Sequence, residues 1–215
     1  MKSYIANLPE SVRNAFQLNQ VATFDLPLFP LGSVFFPGGT MALKIFEQRY
    51  LDMAKICLKT DVPFGIALIR EGNEVGTPAA PETVGTLAYV THWDMQNLGI
   101  LQLRVRGASR FKLLARSISK NGLIVGQVST LPDDVHSDCE ELFACAEFLR
   151  KILAKIGPVG DAAHQRFEDA QWVGFRLTEL LPLNNAVKQK MLELTDARIR
   201  LEILRKFLVD QRLIR

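Results

Sequence analysis

The chain has 215 residues, an apolar fraction of 48% and a formal net charge of +3 at pH 7. This length fits one domain or two small ones, and the apolar fraction supports a sizeable core and argues against intrinsic disorder. The small positive charge is far below that of a dedicated nucleic-acid-binding protein, and it neither demands nor excludes RNA.

A polar extension over residues 1–23 precedes a segment rich in proline and glycine. Residues 26–29, LPLF, have the pattern of a strand, and the prolines indicate an edge strand because proline cannot donate a ladder hydrogen bond. The sequence FPGG at 36–39 predicts a chain reversal. A strand over 40–46 and a helix over 47–60 follow.

The middle of the chain predicts more strands. Residues 64–71 form a continuous apolar run typical of a central strand, and 84–93 predict another. Residues 101–115 alternate between apolar and polar side chains around a turn at 107–109, which predicts a half-buried hairpin. A strand over 122–131 completes the β-rich part.

In the last part of the chain, apolar residues recur every three or four positions, as in amphipathic helices. The first helix includes residues 142–156 and the second covers 161–181. A third begins near Asn185, and Thr195 or Asp196 caps the N-terminus of a fourth. The basic residues of this fourth helix predict a solvated face; they are Arg198, Arg200, Arg205 and Lys206.

Strands followed by helices indicate an α+β fold. We expect the extension (1–23), a β-rich part with one embedded helix (24–132) and an α-helical part (133–215), which together make one domain.

Motifs for catalysis, phosphate binding or metal binding are missing. The sequence has no Gly-x-x-x-x-Gly-Lys-Ser/Thr, Gly-x-Ser-x-Gly, Cys-x-x-Cys or His-Glu-x-x-His. Cys57 falls on the apolar face of its predicted helix, which favours a buried thiol over a nucleophile. We therefore expect no enzyme activity, no cofactor and no metal.

Compartment follows from the cysteines and from hydropathy. Cys57, Cys139 and Cys145 do not suggest a disulfide framework, which predicts a reducing environment. The N-terminus has no apolar run of signal-peptide length, and no stretch approaches the roughly 18 apolar residues of a membrane span. We expect a cytoplasmic protein without membrane association.

Three blocks of sequence carry a family resemblance, in this order: LPLFPLGSVFFPGGTMALKIFEQRY (26–50), VGTLAYV with LRVRGASRFKLL (84–114) and LPLNNAVKQKMLELTDARIRLEILRKFL (181–208). Together they resemble the N-terminal substrate-recognition domain of the Lon protease family. The resemblance covers about residues 24–210. It implies a β-rich, PUA-like pseudo-barrel joined to a helical subdomain, with polypeptide segments or a partner protein as ligand.

The chain ends at Arg215, where the ATPase and protease modules of Lon would follow. We therefore expect a stand-alone, non-catalytic member of the family. A weak homo-oligomer is left open.

The family role implies apolar side chains displayed on loops that a rigid scaffold holds. Two segments, 33–39 and 92–99, have this composition. Both could instead fold inward to close the ends of a barrel, and Phe36 is expected in the core. The candidate protein-binding residues are Phe35, Trp93, Met95 and Leu98.

The alternative ligand is RNA, bound by a basic face of the predicted hairpin through phosphate contacts. Binding of single strands also needs aromatic side chains among the charges, and Phe111 points to the opposite face. Nucleic acid is therefore the less favoured partner. The residues of this alternative are Arg104, Arg106, Arg110 and Lys112.

Overall fold

The computed structural model describes residues 23–97, 99–132, 140–157 and 165–214. In these residues the strands are β1 (Thr23–Leu31), β2 (Thr40–Ile45), β3 (Phe64–Glu71), β4 (Ala80–Asn97), β5 (Ile100–Ile118) and β6 (Ile124–Thr130). The helices are α1 (Gln48–Thr60), α2 (Glu140–Ile156), α3 (Ala170–Leu180), α4 (Asn185–Glu193) and α5 (Ala197–Asp210). The predicted α+β class is confirmed, and the PUA-like detail stays a prediction.

The chain divides into two compact units. The β unit contains the described residues before Phe36 and the segment Met41–Leu131. The helical unit contains Pro132–Arg215 together with Phe36–Thr40. The helical unit is therefore built from two separate pieces of the chain.

The strands of the β unit form one sheet in the order β2-β5-β4-β3-β1-β6. Strand β5 pairs with β4 over Ile100–Lys112 and with β6 over Phe111–Ile118. This second pairing closes β5, β4, β3, β1 and β6 into a ring, so β1 and β6 are both paired on two sides. Ring closure removes the exposed edges that an open sheet would have.

The prediction that β1 is an edge strand is wrong. Residues Thr23–Leu28 pair with β6, and Leu28–Leu31 pair with β3 in the parallel direction. The register places Pro27 opposite β6 and Pro30 opposite β3. Each proline therefore lies in a part of the strand that is paired to one neighbour, which is how a two-sided strand accommodates them.

The predicted turn at 107–109 is also wrong, because β5 runs through it as one strand. The alternation over Leu101–Arg106 is confirmed, with odd-numbered side chains buried and even-numbered ones exposed. Between Thr86 and Ala88 of β4, the partner residue on β5 moves from Arg110 to Gly107. Two steps along β4 therefore correspond to three along β5. The extra residue in β5 forms a β-bulge, which bends a strand without ending it.

Two clusters of apolar side chains form the core of the β unit. Alternation along β1 sends Leu26 and Leu28 into one cluster and Phe29 and Leu31 into the other. Both faces of β1 are buried or half-buried from Leu26 onward, and its sequence is apolar there, whereas Thr23 and Asp25 at its start are polar and exposed. The cluster with Phe29 also contains the buried apolar side chains of α1, which are Tyr50, Met53, Ala54 and Cys57.

Helices α2, α3 and α5 surround the core of the helical unit, with Leu149, Val173 and Leu201 fully buried. Helix α3 was predicted to begin at residue 161 but begins at Ala170. Asp169 caps it by accepting a hydrogen bond from the Trp172 amide. The start of the predicted helix, residues 161–164, lies outside the described residues.

The FPGG turn belongs to the helical unit. The ring of Phe36, fully buried as predicted, packs 5.7 Å from that of Phe175. The Pro37 carbonyl accepts a hydrogen bond of 2.8 Å from Arg176. Gly38 has a φ of 73°, which favours glycine, and it lies against Trp172.

Candidate functional site

An open apolar groove of about 380 Å³ lies on the β unit, between helix α1 and the far end of strands β4 and β5. Trp93 and Met95 of β4 line it with 55% and 46% of their surfaces exposed. Leu101 of β5 also lines it and is buried. Helix α1 contributes the other lining residues, which are Leu51, Lys55, Leu58 and Lys59.

Periodicity places the lining residues of each element on one face, and the packing of α1 beside β4 and β5 brings the two faces together. Trp93 and Met95 are two residues apart on a strand and so share one face. On α1, Lys55 lies four positions after Leu51 and is followed three and four positions later by Leu58 and Lys59, so all four share one side of the helix. That side lies next to the buried face of α1, so Leu51 and Leu58 are half-buried whereas Lys55 and Lys59 are exposed.

Sequence reasoning located two of the four candidate contact residues in this groove. Trp93 and Met95 line it, although the predicted loop 92–99 is mostly the end of strand β4. Leu98 lies outside the described residues. The prediction that Phe35 is exposed for contact with a partner is wrong, because only 2% of its surface is exposed and it belongs to the core cluster of the β unit. The Thr86 hydroxyl donates a 2.6 Å hydrogen bond to the Phe35 carbonyl, which holds this segment against the sheet.

The basic face predicted for RNA is incomplete. Arg104, Arg106 and Lys112 are exposed, whereas Arg110 is 2% exposed. The bulge in β5 is the reason: Arg110 lies at the register shift, opposite the buried Thr86, where strict alternation breaks down. Three cations, not four, therefore remain for this alternative.

Sequence reasoning missed the buried arginines. Arg49 is 6% exposed and forms an ion pair of 2.9 Å with Glu47. It also donates to the Gly122 carbonyl at 3.1 Å and stacks on the Tyr50 ring at 4.6 Å. These contacts connect the start of α1 to the turn between β5 and β6, which is an architectural role. The sequence Glu-x-Arg-Tyr, which places a carboxylate and an aromatic ring next to Arg49, could have indicated that this arginine is buried among partners.

Two further arginines are buried inside the helical unit. The prediction that Arg200 lies on a solvated face is wrong, because its side chain is fully buried. It donates to the Met191 and Leu194 carbonyls, which end helix α4, and it stacks 4.1 Å from the Phe175 ring. Arg176 pairs with Glu179, and burial lowers the pKa of Arg176 while it raises that of Glu179.

The helical unit has a larger concavity of about 660 Å³ between α4 and α5. Met191 lines it and is buried, and Val187 and Ile203 line it with 38% and 44% exposed. Lys190 and Glu193 also line it and pair with each other at 2.8 Å. Among the described residues, the lining of this concavity includes no aromatic side chain, whereas the groove on the β unit includes Trp93.

Metal-ligand clusters and the thiol of Cys57 are two features that bear on catalysis in the described residues. Within them, no group of three or more His, Cys, Asp or Glu side chains is placed to hold a metal ion. Cys57 is buried as predicted, and burial raises the pKa of its thiol to about 11, so it is protonated at neutral pH. No helix in the described part of the chain has the length and apolar character for crossing a bilayer.

Comparison with known proteins identifies the family. A family model of the ATP-dependent protease La (LON) substrate-binding domain matches residues 25–210. The chain belongs to this family, and the resemblance noted in its sequence is confirmed.

The relatives include Lon proteases of two bacteria. Lon protease of Anaeromyxobacter dehalogenans is 28% identical over 197 residues, which cover 87% of this chain and 23% of that protein. Lon protease 2 of Myxococcus xanthus is 26% identical over 217 residues, covering 96% of this chain and 26% of that protein. The chain spans about a quarter of the length of these curated relatives.

Two solved structures share the fold. The Lon N-terminal domain protein from Xanthomonas campestris is 37% identical, with a TM-score of 0.71 over 84% of this chain and 96% of that one. The N-terminal domain of Mycobacterium avium complex Lon protease is 17% identical, with a TM-score of 0.60 over 87% of this chain and 99% of that one.

Proposed function

We propose that this chain is a non-catalytic protein-recognition module that binds exposed apolar segments of other polypeptides. Membership of a substrate-binding family supports recognition of a protein ligand. The observation that carries the choice of ligand is the groove beside Trp93 and Met95, where two large apolar side chains remain exposed next to an apolar wall.

The side chains of this groove suit varied apolar ligands. Tryptophan is enriched among the residues that contribute most to binding energy, and methionine adapts its shape to different partners. The volume of about 380 Å³ accommodates a few side chains. A groove of this volume offers only a small contact area to a ligand. We therefore expect weak, reversible binding, with a dissociation constant on the order of micromolar.

A peptide-binding assay with paired variants tests this proposal. The probe is a short, fluorescently labelled synthetic peptide with a central Leu-Phe-Leu sequence flanked by serine, and the readout is fluorescence anisotropy. We expect Trp93→Ala combined with Met95→Ala to weaken binding at least about tenfold, because truncating a central binding residue costs about 2 kcal/mol or more and a tenfold change is about 1.4 kcal/mol. The fold should be unaffected, since both side chains are largely exposed.

The matched control truncates Val187 and Ile203 to alanine in the concavity of the helical unit, where both residues are also exposed. We expect this variant to bind the peptide as the native protein does. The proposal fails if the native protein does not bind the peptide. It also fails if the helical-unit variant loses affinity and the Trp93/Met95 variant retains it.

A further inference from the structure

The charged side chains that line the groove are both lysines. Lys55 and Lys59 lie four residues apart on α1, so they follow one another along the side of the helix that borders the groove. Among the described residues, the lining of the groove includes no carboxylate. An apolar trough with cations on one border is therefore electrostatically asymmetric.

Nearby carboxylates do not remove this asymmetry. Asp52 lies 3.8 Å from Lys55, but both side chains are exposed, at 44% and 69%, and Asp52 also accepts a 2.7 Å hydrogen bond from Gln48. A solvent-exposed pair of this kind is weak. Asp94 lies between Trp93 and Met95 on β4, so its side chain points to the opposite face and lines a different concavity, with His92 and Arg104.

We propose that the groove prefers apolar segments that carry aspartate or glutamate beside the apolar residues. This inference rests on the proposed function and names the class of segment that the site selects. An apolar side chain enters between Trp93 and Leu58, and an adjacent carboxylate of the ligand pairs with Lys55 or Lys59. The apolar contact supplies most of the affinity, and the charge decides among apolar segments.

The expected size of the preference follows from exposed ion pairs. Each such pair changes an equilibrium by about twofold to fivefold. We therefore expect a carboxylate-flanked peptide to bind about threefold to tenfold more tightly than a serine-flanked one at about 50 mM salt. The difference should largely disappear at about 500 mM salt, where the screening length is only a few ångströms.

The test uses three peptides with the same central Leu-Phe-Leu sequence, flanked by aspartate, serine or lysine. The native protein should bind them in that order of decreasing affinity. Lys55→Glu combined with Lys59→Glu should reverse the order. The control, Lys44→Glu combined with Lys112→Glu, makes the same change in net charge at exposed lysines outside the groove and should preserve the order.

The outcomes separate this inference from the proposed function. Equal binding of the three peptides by the native protein, with all binding lost in the Trp93/Met95 double variant, overturns the charge preference alone. A reversed order in the control as complete as in the groove variant also overturns it, because net charge would then be the cause. No binding of any peptide overturns both proposals.

Discussion

Burial reverses the expected behaviour of several polar side chains. Arg110 and Arg200 occupy positions where the local sequence predicts solvent exposure, yet each is almost fully buried. In Arg200 the guanidinium satisfies carbonyl groups at the end of another helix, a contact between residues nine and six positions apart in the sequence. Periodicity reports which face of an element is apolar, but it does not report where a buried carbonyl needs a donor.

The buried thiol of Cys57 predicts that the stability of the protein depends on pH in the alkaline range. Burial raises the pKa of its thiol from an ordinary 9.0 to about 11. A group with a higher pKa in the folded state stabilises the protein below its unfolded pKa, and this stabilisation is lost as pH rises through the folded pKa. The free energy of unfolding should therefore fall by about 3 kcal/mol between about pH 9 and pH 11 because of this thiol.

Urea denaturation across that pH interval measures the effect. Cys57→Ala should flatten the pH dependence relative to the native protein, whereas Met53→Ala, a truncation at a buried neighbour that cannot ionise, should lower stability without flattening it. Equal slopes in the native protein and Cys57→Ala would show that the thiol is not responsible.

At the scale of elements, the sequence was sufficient to predict features that depend only on the residues of one helix or strand. The alternation over Leu101–Arg106 was predicted, and so was the start of α5 after Thr195 or Asp196, of which Asp196 is the cap. The continuation of β5 through residues 107–109 was not, because a bulge depends on the register with β4, which the sequence of β5 alone does not contain. Likewise, α1 was predicted as a helix, whereas the end of β4 was predicted as a loop over 92–99, and the groove between them depends on their packing.

The N-terminus of α5 provides a test of a single element. The Asp196 carboxylate accepts hydrogen bonds from the amides of Arg198 at 2.8 Å and Ile199 at 3.2 Å. Asp196→Ala should reduce the free energy of unfolding by about 1 kcal/mol, and Asp196→Asn should retain most of it. Thermal denaturation measures both. Asp210→Ala, at the exposed C-terminal end of the same helix, is the control; a comparable loss there would argue against a specific cap.

At the scale of the whole molecule, each unit has a core of its own. Leu204 is fully buried in the helical core, and Leu103 is 2% exposed in the core of the β unit. Truncating either to alanine should cost about 2–5 kcal/mol. We expect Leu204→Ala to speed amide hydrogen exchange mainly in α2, α3 and α5, and Leu103→Ala to speed it mainly in the strands.

Hydrogen exchange read by mass spectrometry distinguishes the two patterns. If both variants accelerate exchange equally along the whole chain, the two cores unfold as one cooperative unit and the expectation of separate responses is wrong. A surface truncation, Ile118→Ala, should leave both patterns unchanged, since Ile118 is 60% exposed.

The short segment Phe36–Thr40 has a consequence for how the chain can be divided. A fragment that begins at Pro132 would contain helices α2 to α5 but would lack the ring that packs on Phe175 and the carbonyl that accepts from Arg176. A single cut therefore cannot release a complete helical unit. During synthesis the FPGG turn leaves the ribosome about 130 residues before α3, its eventual partner, so this unit is completed only when the late part of the chain meets an early one.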